Sequence, residues 1–158
     1  MRFLGLAFAL AFLSITTAAQ TAKDLNAKYG ASHDSYEIRH GIFMTAKFAP
    51  DGRVCEVSVE KRHINSSGEI FVGETFMSDD EMIPIVEELI PINERGQESK
   101  DSGHITIMGV GMTTAYDYEN VRITYYRGVS HGNRRAKGRI TVTGTAAIVI
   151  RWKNRGCN

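Results

Sequence analysis

Charge of one sign is what this chain most plainly lacks. Nineteen lysines and arginines face 18 aspartates and glutamates. That balance excludes a general nucleic-acid binder and a polybasic membrane binder. Cysteine is also scarce, at two, and neither Cys55 nor Cys157 sits in a C-x-x-C pair, which argues against a catalytic thiol. The five histidines form no H-x-x-x-H, no H-E-x-x-H and no Cys/His set with zinc spacing. A G-x-S-x-G elbow and a Walker-type phosphate loop are missing as well. No internal repeat is present. These absences remove the usual signatures of metallohydrolases, serine hydrolases and nucleotide-binding enzymes, and no cofactor is implied.

What is present begins with one long apolar run, Phe3 to Ile15, behind Arg2 and ahead of Thr17-Ala18-Ala19. A positive start, an apolar stretch too short to span a bilayer and small residues at its end read as a signal peptide over 1–19, cleaved before Gln20. Removing Arg2 leaves 18 basic and 18 acidic residues in a remainder of about 139, the size of one domain with one core. The expectation is a single secreted or periplasmic domain over 20–158, with no transmembrane span after cleavage. In an oxidising compartment Cys55 and Cys157 read as one disulfide. Closing a loop of roughly 100 residues stabilises by up to about 4.7 kcal/mol. Two free thiols or an intermolecular bridge are the open alternatives.

The clearest local signal lies in 41–60. Ile42, Met44, Ala46 and Phe48 alternate with Phe43, Thr45, Lys47 and Ala49, as in a strand. Pro50-Asp51-Gly52 supplies turn chemistry. In the return strand Cys55, Val57 and Val59 share one face, and Glu56, Ser58 and Glu60 the other. Residues 35–40 alternate and are expected to pair nearby.

Helices are expected at 21–29, with Thr21 as cap and Leu25 and Tyr29 paired at i,i+4, and at 78–90. There Ser78-Asp79-Asp80-Glu81 forms a capping box, and Met82, Ile83, Ile85, Val86, Leu89 and Ile90 make an apolar face. Pro84 suggests a start nearer Ile83 instead, and Pro91 ends the helix. Glu87 and Glu88 are expected on a solvated face. Residues 61–68 read as polar and turn-rich, and 93–103 as a mobile polar linker. Strands are expected at 104–112, 116–127 and 139–153, with 128–138 as a loop. In the last strand Ile140, Val142, Ala146, Ile148, Ile150 and Trp152 share one face, and Gly144 is a potential bend. Asn65-Ser66-Ser67 matches an N-glycosylation acceptor. Together these elements predict an α+β fold: a mostly antiparallel β-sheet packed against one main helix, plus a short N-terminal helix.

The order Pro50-Asp51-Gly52-Arg53-Val54, then Ser66-Ser67-Gly68, then a helix ending at Pro91 resembles the C-terminal domain of TonB-type energy-transducing proteins. The likeness covers about a third of the chain. The spacing from turn to Ser66 is longer, the helix lacks an Ala-rich face, and no Pro-rich linker is present. The remainder, with Glu94-Arg95-Gly96 and the ending Arg151-Trp152-Lys153-x-Arg155-x-Cys157, is similar to uncharacterised secreted bacterial proteins. The first resemblance implies an envelope-associated module and brings over no catalytic residue.

Two functional readings result. The favoured one is a secreted or periplasmic, non-catalytic binding module for an envelope protein, a glycan or another anionic ligand. Its candidate ligand-binding residues lie in 130–139, where His131, Arg134, Arg135, Lys137 and Arg139 concentrate positive charge on a near-neutral chain. The alternative is a small metal-dependent or His/Asp/Ser-based hydrolase, with His33, Asp34 and His40 as candidate metal ligands. Tyr116, Tyr118, Tyr125 and Tyr126 are expected to line a core or one sheet face.

Overall fold

The computed structural model describes residues 20–30, 35–64, 70–72, 76–108, 111–131 and 140–157, with side chains left aside at 63, 64, 70–72, 108, 129–131 and 140–143. The expected signal peptide at 1–19, the acceptor pattern at 65–67 and the candidate residues His33, Asp34, Arg134, Arg135, Lys137 and Arg139 lie outside the described residues.

The chain forms α1 (Ala22–Tyr29), β1 (Tyr36–Arg39), β2 (Ile42–Phe48), β3 (Val54–Ile64), β4 (Ile70–Val72), α2 (Asp79–Leu89), α3 (Ile92–Arg95), β5 (His104–Met108), β6 (Gly111–Asp117), β7 (Val121–His131) and β8 (Ile140–Trp152). The sheet runs β1-β2-β3-β8-β7-β6-β5, with β4 added on β3, and every pairing is antiparallel. The fold is mixed α+β with the sheet dominant. Helical packing is not left to one helix, because α1 and α2 both put side chains into the core.

The β2–β3 hairpin closes as its turn residues dictate. Gly52 takes φ +80°, and the Ala49 N–H donates to the Arg53 carbonyl at 2.8 Å. β3 then continues to Ile64, so 61–64 is strand rather than turn. α2 starts at Asp79, with Ser78 accepting from the Glu81 N–H and Glu81 accepting from the Ser78 N–H. The capping box therefore outweighs Pro84. This proline is the sixth residue of the helix and is exposed, so the carbonyl it leaves unpaired sits on the water side. Pro91 is the N-cap of α3, and the segment expected to be a mobile linker is built in. Arg95 is buried, donates from Nε to the Ile90 carbonyl at 3.0 Å and pairs with Glu87 at 2.5 Å. Glu98 bridges to Tyr118.

Two expected strands are divided differently. His104 to Met108 and Gly111 to Asp117 form a hairpin with Met108 opposite Gly111. Tyr116 belongs to β6, and the chain turns at 118–120 before β7. β7 runs on to His131, opposite Ile140, which moves His131 from the expected loop to the end of a strand. β8 carries register shifts after Tyr126 and Gly128 on its partner, which leave Ala146 and Thr143 as extra residues. The bulge at Ala146 changes the phase of the strand. Thr145, which strict alternation would put on the face opposite Ile148, becomes buried along with Ile148, Ile150 and Trp152.

One sheet face carries the core. Ala46, Val57, Ile150, Ile123 and Tyr116 are aligned across five strands, and Tyr36, Met44, Val59, Ile148 and Tyr125 across another five. Leu25 of α1 and Met82, Ile85, Val86 and Leu89 of α2 cover this face. Glu88, expected to be solvated, ties the helices to the sheet. It pairs with Lys28 of α1 at 3.0 Å and with Arg39 of β1, and it accepts from the Tyr29 hydroxyl at 2.8 Å. Burial opposes its ionised form, but these three donors outweigh burial and lower its pKa to about 2. Cys55 and Cys157 are bridged, with Cα atoms 5.5 Å apart. The bridge fixes the tail beside the hairpin, where Arg155 donates to the Val54 carbonyl at 2.8 Å and lies over the Trp152 ring.

Candidate functional site

The face of the sheet turned away from α1 and α2 is where chemistry-bearing side chains converge. Strand alternation and register place them in three rows. The first row reads Lys47, Glu56, Arg151, Arg122, Asp117 from β2 to β6. The second reads Thr45, Ser58, Val149, Thr124, Ala115, His104, and the third Phe43, Glu60, Ala147, Tyr126, Thr113, Thr106. Over β5–β8 these rows form a shallow hollow of about 310 Å³. Its floor is made of short side chains, Ala115, Thr113, Thr124 and Val149. Its rim is made of long ones, Arg122 and Arg151 at one end, Tyr126 toward the other, and His104 and Thr106 on the edge strand. Short residues in the middle and long ones around them are what makes a sheet face concave.

The electrostatics of the first row are uneven. Arg122 and Arg151 are directly opposite each other, an arrangement that costs stability in a sheet. Each is flanked by a carboxylate. Arg151 donates from Nε to Glu56 at 2.6 Å and also pairs through Nη2. Lys47 reaches the same carboxylate at 2.6 Å. Glu56 is only 5% exposed. Burial works against its charge, yet the hydrogen bonds from Lys47 and Arg151 prevail and hold its pKa below the usual carboxylate range. Arg122 is less well served. Its Nη1 lies 3.7 Å from Asp117, beyond hydrogen-bond distance, and Asp117 is shared with Lys153 at 3.1 Å. Arg122 is 53% exposed, so most of the donor capacity of its guanidinium points to solvent. Among the described residues the lining of the hollow holds two arginines and a histidine and no acid.

Neutral polar groups complete the hollow. Among the described residues the hydroxyls of Thr106, Thr113 and Thr124 have no intramolecular hydrogen bond, and His104 has no hydrogen bond or ion pair. Nothing there orients the imidazole as a base. His40 is fully exposed in the β1–β2 turn, near Glu37 at 3.9 Å. Among the described residues no group of three or more His, Cys, Asp or Glu could hold a metal ion.

The tyrosines divide between the two faces. Tyr116 and Tyr125 meet edge to face at 5.7 Å, and Tyr118 lies beneath the Arg95 guanidinium. Burial pushes the Tyr125 hydroxyl up to about 12. Tyr126 stands on the open face and is 44% exposed. A second hollow, of about 380 Å³ between Gln97–Lys100 and Lys153, carries both charge signs and lacks the single-sign character of the first. The open-face hollow was not anticipated from sequence. The signal was there in part, since alternation already places Arg122, Thr124 and Tyr126 on one face of a strand and Val149 and Arg151 on one face of another.

Comparison with known proteins adds little. No family model matches the chain, and no curated protein matches it. A DUF4309 family protein (YjgB) from Bacillus subtilis has a solved structure that matches at 10% identity and a TM-score of 0.41, over 89% of this chain and 84% of that one. The likeness to the TonB C-terminal domain has no support in these comparisons. Among the described residues no helix is long and apolar enough to cross a membrane.

Proposed function

We propose that this chain is a secreted or periplasmic, non-catalytic binding module, and that it holds an anion-bearing ligand on the open face of its sheet. The observation that carries this reading is the Arg122–Arg151 pair. A sheet gains nothing from two guanidinium groups directly opposite each other. A carboxylate, sulfate or phosphate bridging them would satisfy both, because the guanidinium fork matches the geometry of these anions. The lack of acid in the hollow, together with the free threonine hydroxyls, suits an anion with polar substituents. The export part of the proposal is supported by the apolar start of the sequence and by the Cys55–Cys157 bridge.

Calorimetric titration of the purified protein with inorganic sulfate tests the reading. Saturable binding is expected, weakening as ionic strength rises and falling at least tenfold in Arg122→Gln. Equal binding by the variant would remove the hollow from the account.

A further inference from the structure

Tyr126 distinguishes this hollow from a simple anion site. Among the described residues the other five tyrosines each have a ring, cation or hydroxyl partner: Tyr29 and Tyr36 contact each other, Tyr116 meets Tyr125, and Tyr118 lies under Arg95. Tyr126 has none and is 44% exposed. Its cross-strand neighbours on either side, Thr113 and Ala147, are small, so no neighbour across the strands covers the ring. An unpartnered aromatic face beside free hydroxyls and a cationic pair is the chemistry that recognises a sugar. The ring offers an apolar platform, the threonines exchange hydrogen bonds with ring hydroxyls, and the arginines take an acidic substituent.

We infer that the ligand is a uronate-bearing oligosaccharide lying along β7, with a carboxylate at Arg122 and Arg151 and a sugar ring on Tyr126. This inference rests on the anion-binding reading above and narrows it. Geometry agrees, since Arg122 and Tyr126 are four residues apart on one strand face, a separation of about 14 Å. That distance is too long for one sugar ring and suits a short run of them. A lipid is disfavoured because, among the described residues, the floor offers only Ala115 and Val149 as apolar surface. The planar carboxylate of a uronate matches the guanidinium fork in bidentate geometry.

The test titrates the intact protein with trigalacturonate, its fully methyl-esterified counterpart and inorganic sulfate, using the unsubstituted chain, Tyr126→Ala and Arg122→Gln. Trigalacturonate is expected to bind at least tenfold more tightly than either comparison ligand. Tyr126→Ala should lose about tenfold for trigalacturonate while keeping its sulfate affinity within twofold, and Arg122→Gln should lose affinity for both. Circular dichroism and an intact Cys55–Cys157 bridge check that each variant is folded. Sulfate binding without a preference for trigalacturonate, or with no effect of Tyr126→Ala, would overturn the saccharide inference and leave the anion-binding reading standing. Tight binding of the esterified trimer would overturn the role given to the carboxylate. Loss of binding to all three ligands in the unsubstituted chain would overturn both readings.

Discussion

Arg122 of β7 and Arg151 of β8 are directly opposite each other on the open face of the sheet, but they are not equally held. Arg151 is bound to the buried carboxylate of Glu56, which Lys47 also reaches. Among the described residues Arg122 has only Asp117, at 3.7 Å. One member of the pair is therefore structural as well as part of the proposed anion site. The other has no structural role that offsets its repulsion.

This asymmetry gives opposite outcomes for two similar substitutions. Arg122→Gln relieves a cross-strand like-charge pair and gives up only a long, exposed ion pair. Its unfolding free energy should be unchanged or higher by up to about 0.5 kcal/mol. Arg151→Gln leaves buried Glu56 with Lys47 alone and should cost about 1–2 kcal/mol. Urea unfolding of the two variants checks both, and a loss above about 1 kcal/mol for Arg122→Gln would show that its side chain is structural.

Acid should loosen the junction between the helices and the sheet. The pKa of Glu88 is lowered to about 2 in the folded chain, against about 4.3 for an unperturbed Glu. A depressed carboxylate contributes stability that is fully present above its unfolded value and is lost as pH falls toward 2. Lys28 and Arg39 are about half-exposed, so screening brings the contribution down to roughly 1–2 kcal/mol. Unfolding measured between pH 6 and pH 2 should show this loss, and Glu88→Gln should flatten that part of the profile.

Gly144 should not tolerate a side chain. It has φ +148°, and a Cβ there would come within 2.6 Å of Phe76 Cβ and 3.1 Å of the Met77 carbonyl oxygen. Met77 exchanges backbone hydrogen bonds with Thr145 at this point, so the neighbouring segment is pinned. Gly144→Ala should destabilise by about 2 kcal/mol or more, read as a fall in the unfolding midpoint. Wild-type stability in that variant would mean that the 76–77 segment yields easily.

The parts of the fold legible in the sequence are those specified locally. Pro50-Asp51-Gly52 sets a turn within five residues, and Ser78 with Glu81 starts a helix within four. What escaped is set by residues distant in the chain. The segment at 93–103 is polar in composition, yet Arg95 is drawn inward by Glu87 and the Ile90 carbonyl. The phase change at Ala146 depends on how β7 is registered, and strict alternation along β8 does not reveal it. The candidate site is harder still to read. His104, Thr124 and Val149 become neighbours only through the pairing of four strands. Sequence alternation assigns residues to faces, but it does not say which strands lie side by side. Attention in the sequence therefore falls on the charge-dense 130–139 stretch, while the described hollow is built from residues spread over 104–151.

Placement of the ligand is the central claim, and amide chemical-shift mapping of isotopically labelled protein during a sulfate titration tests it most directly. The account predicts saturable shifts at the amides of 104–106, 113–115, 122–126 and 149–151, moving together with one dissociation constant. Shifts confined to 130–139, with the amides of β5–β8 in the hollow unmoved, would contradict it.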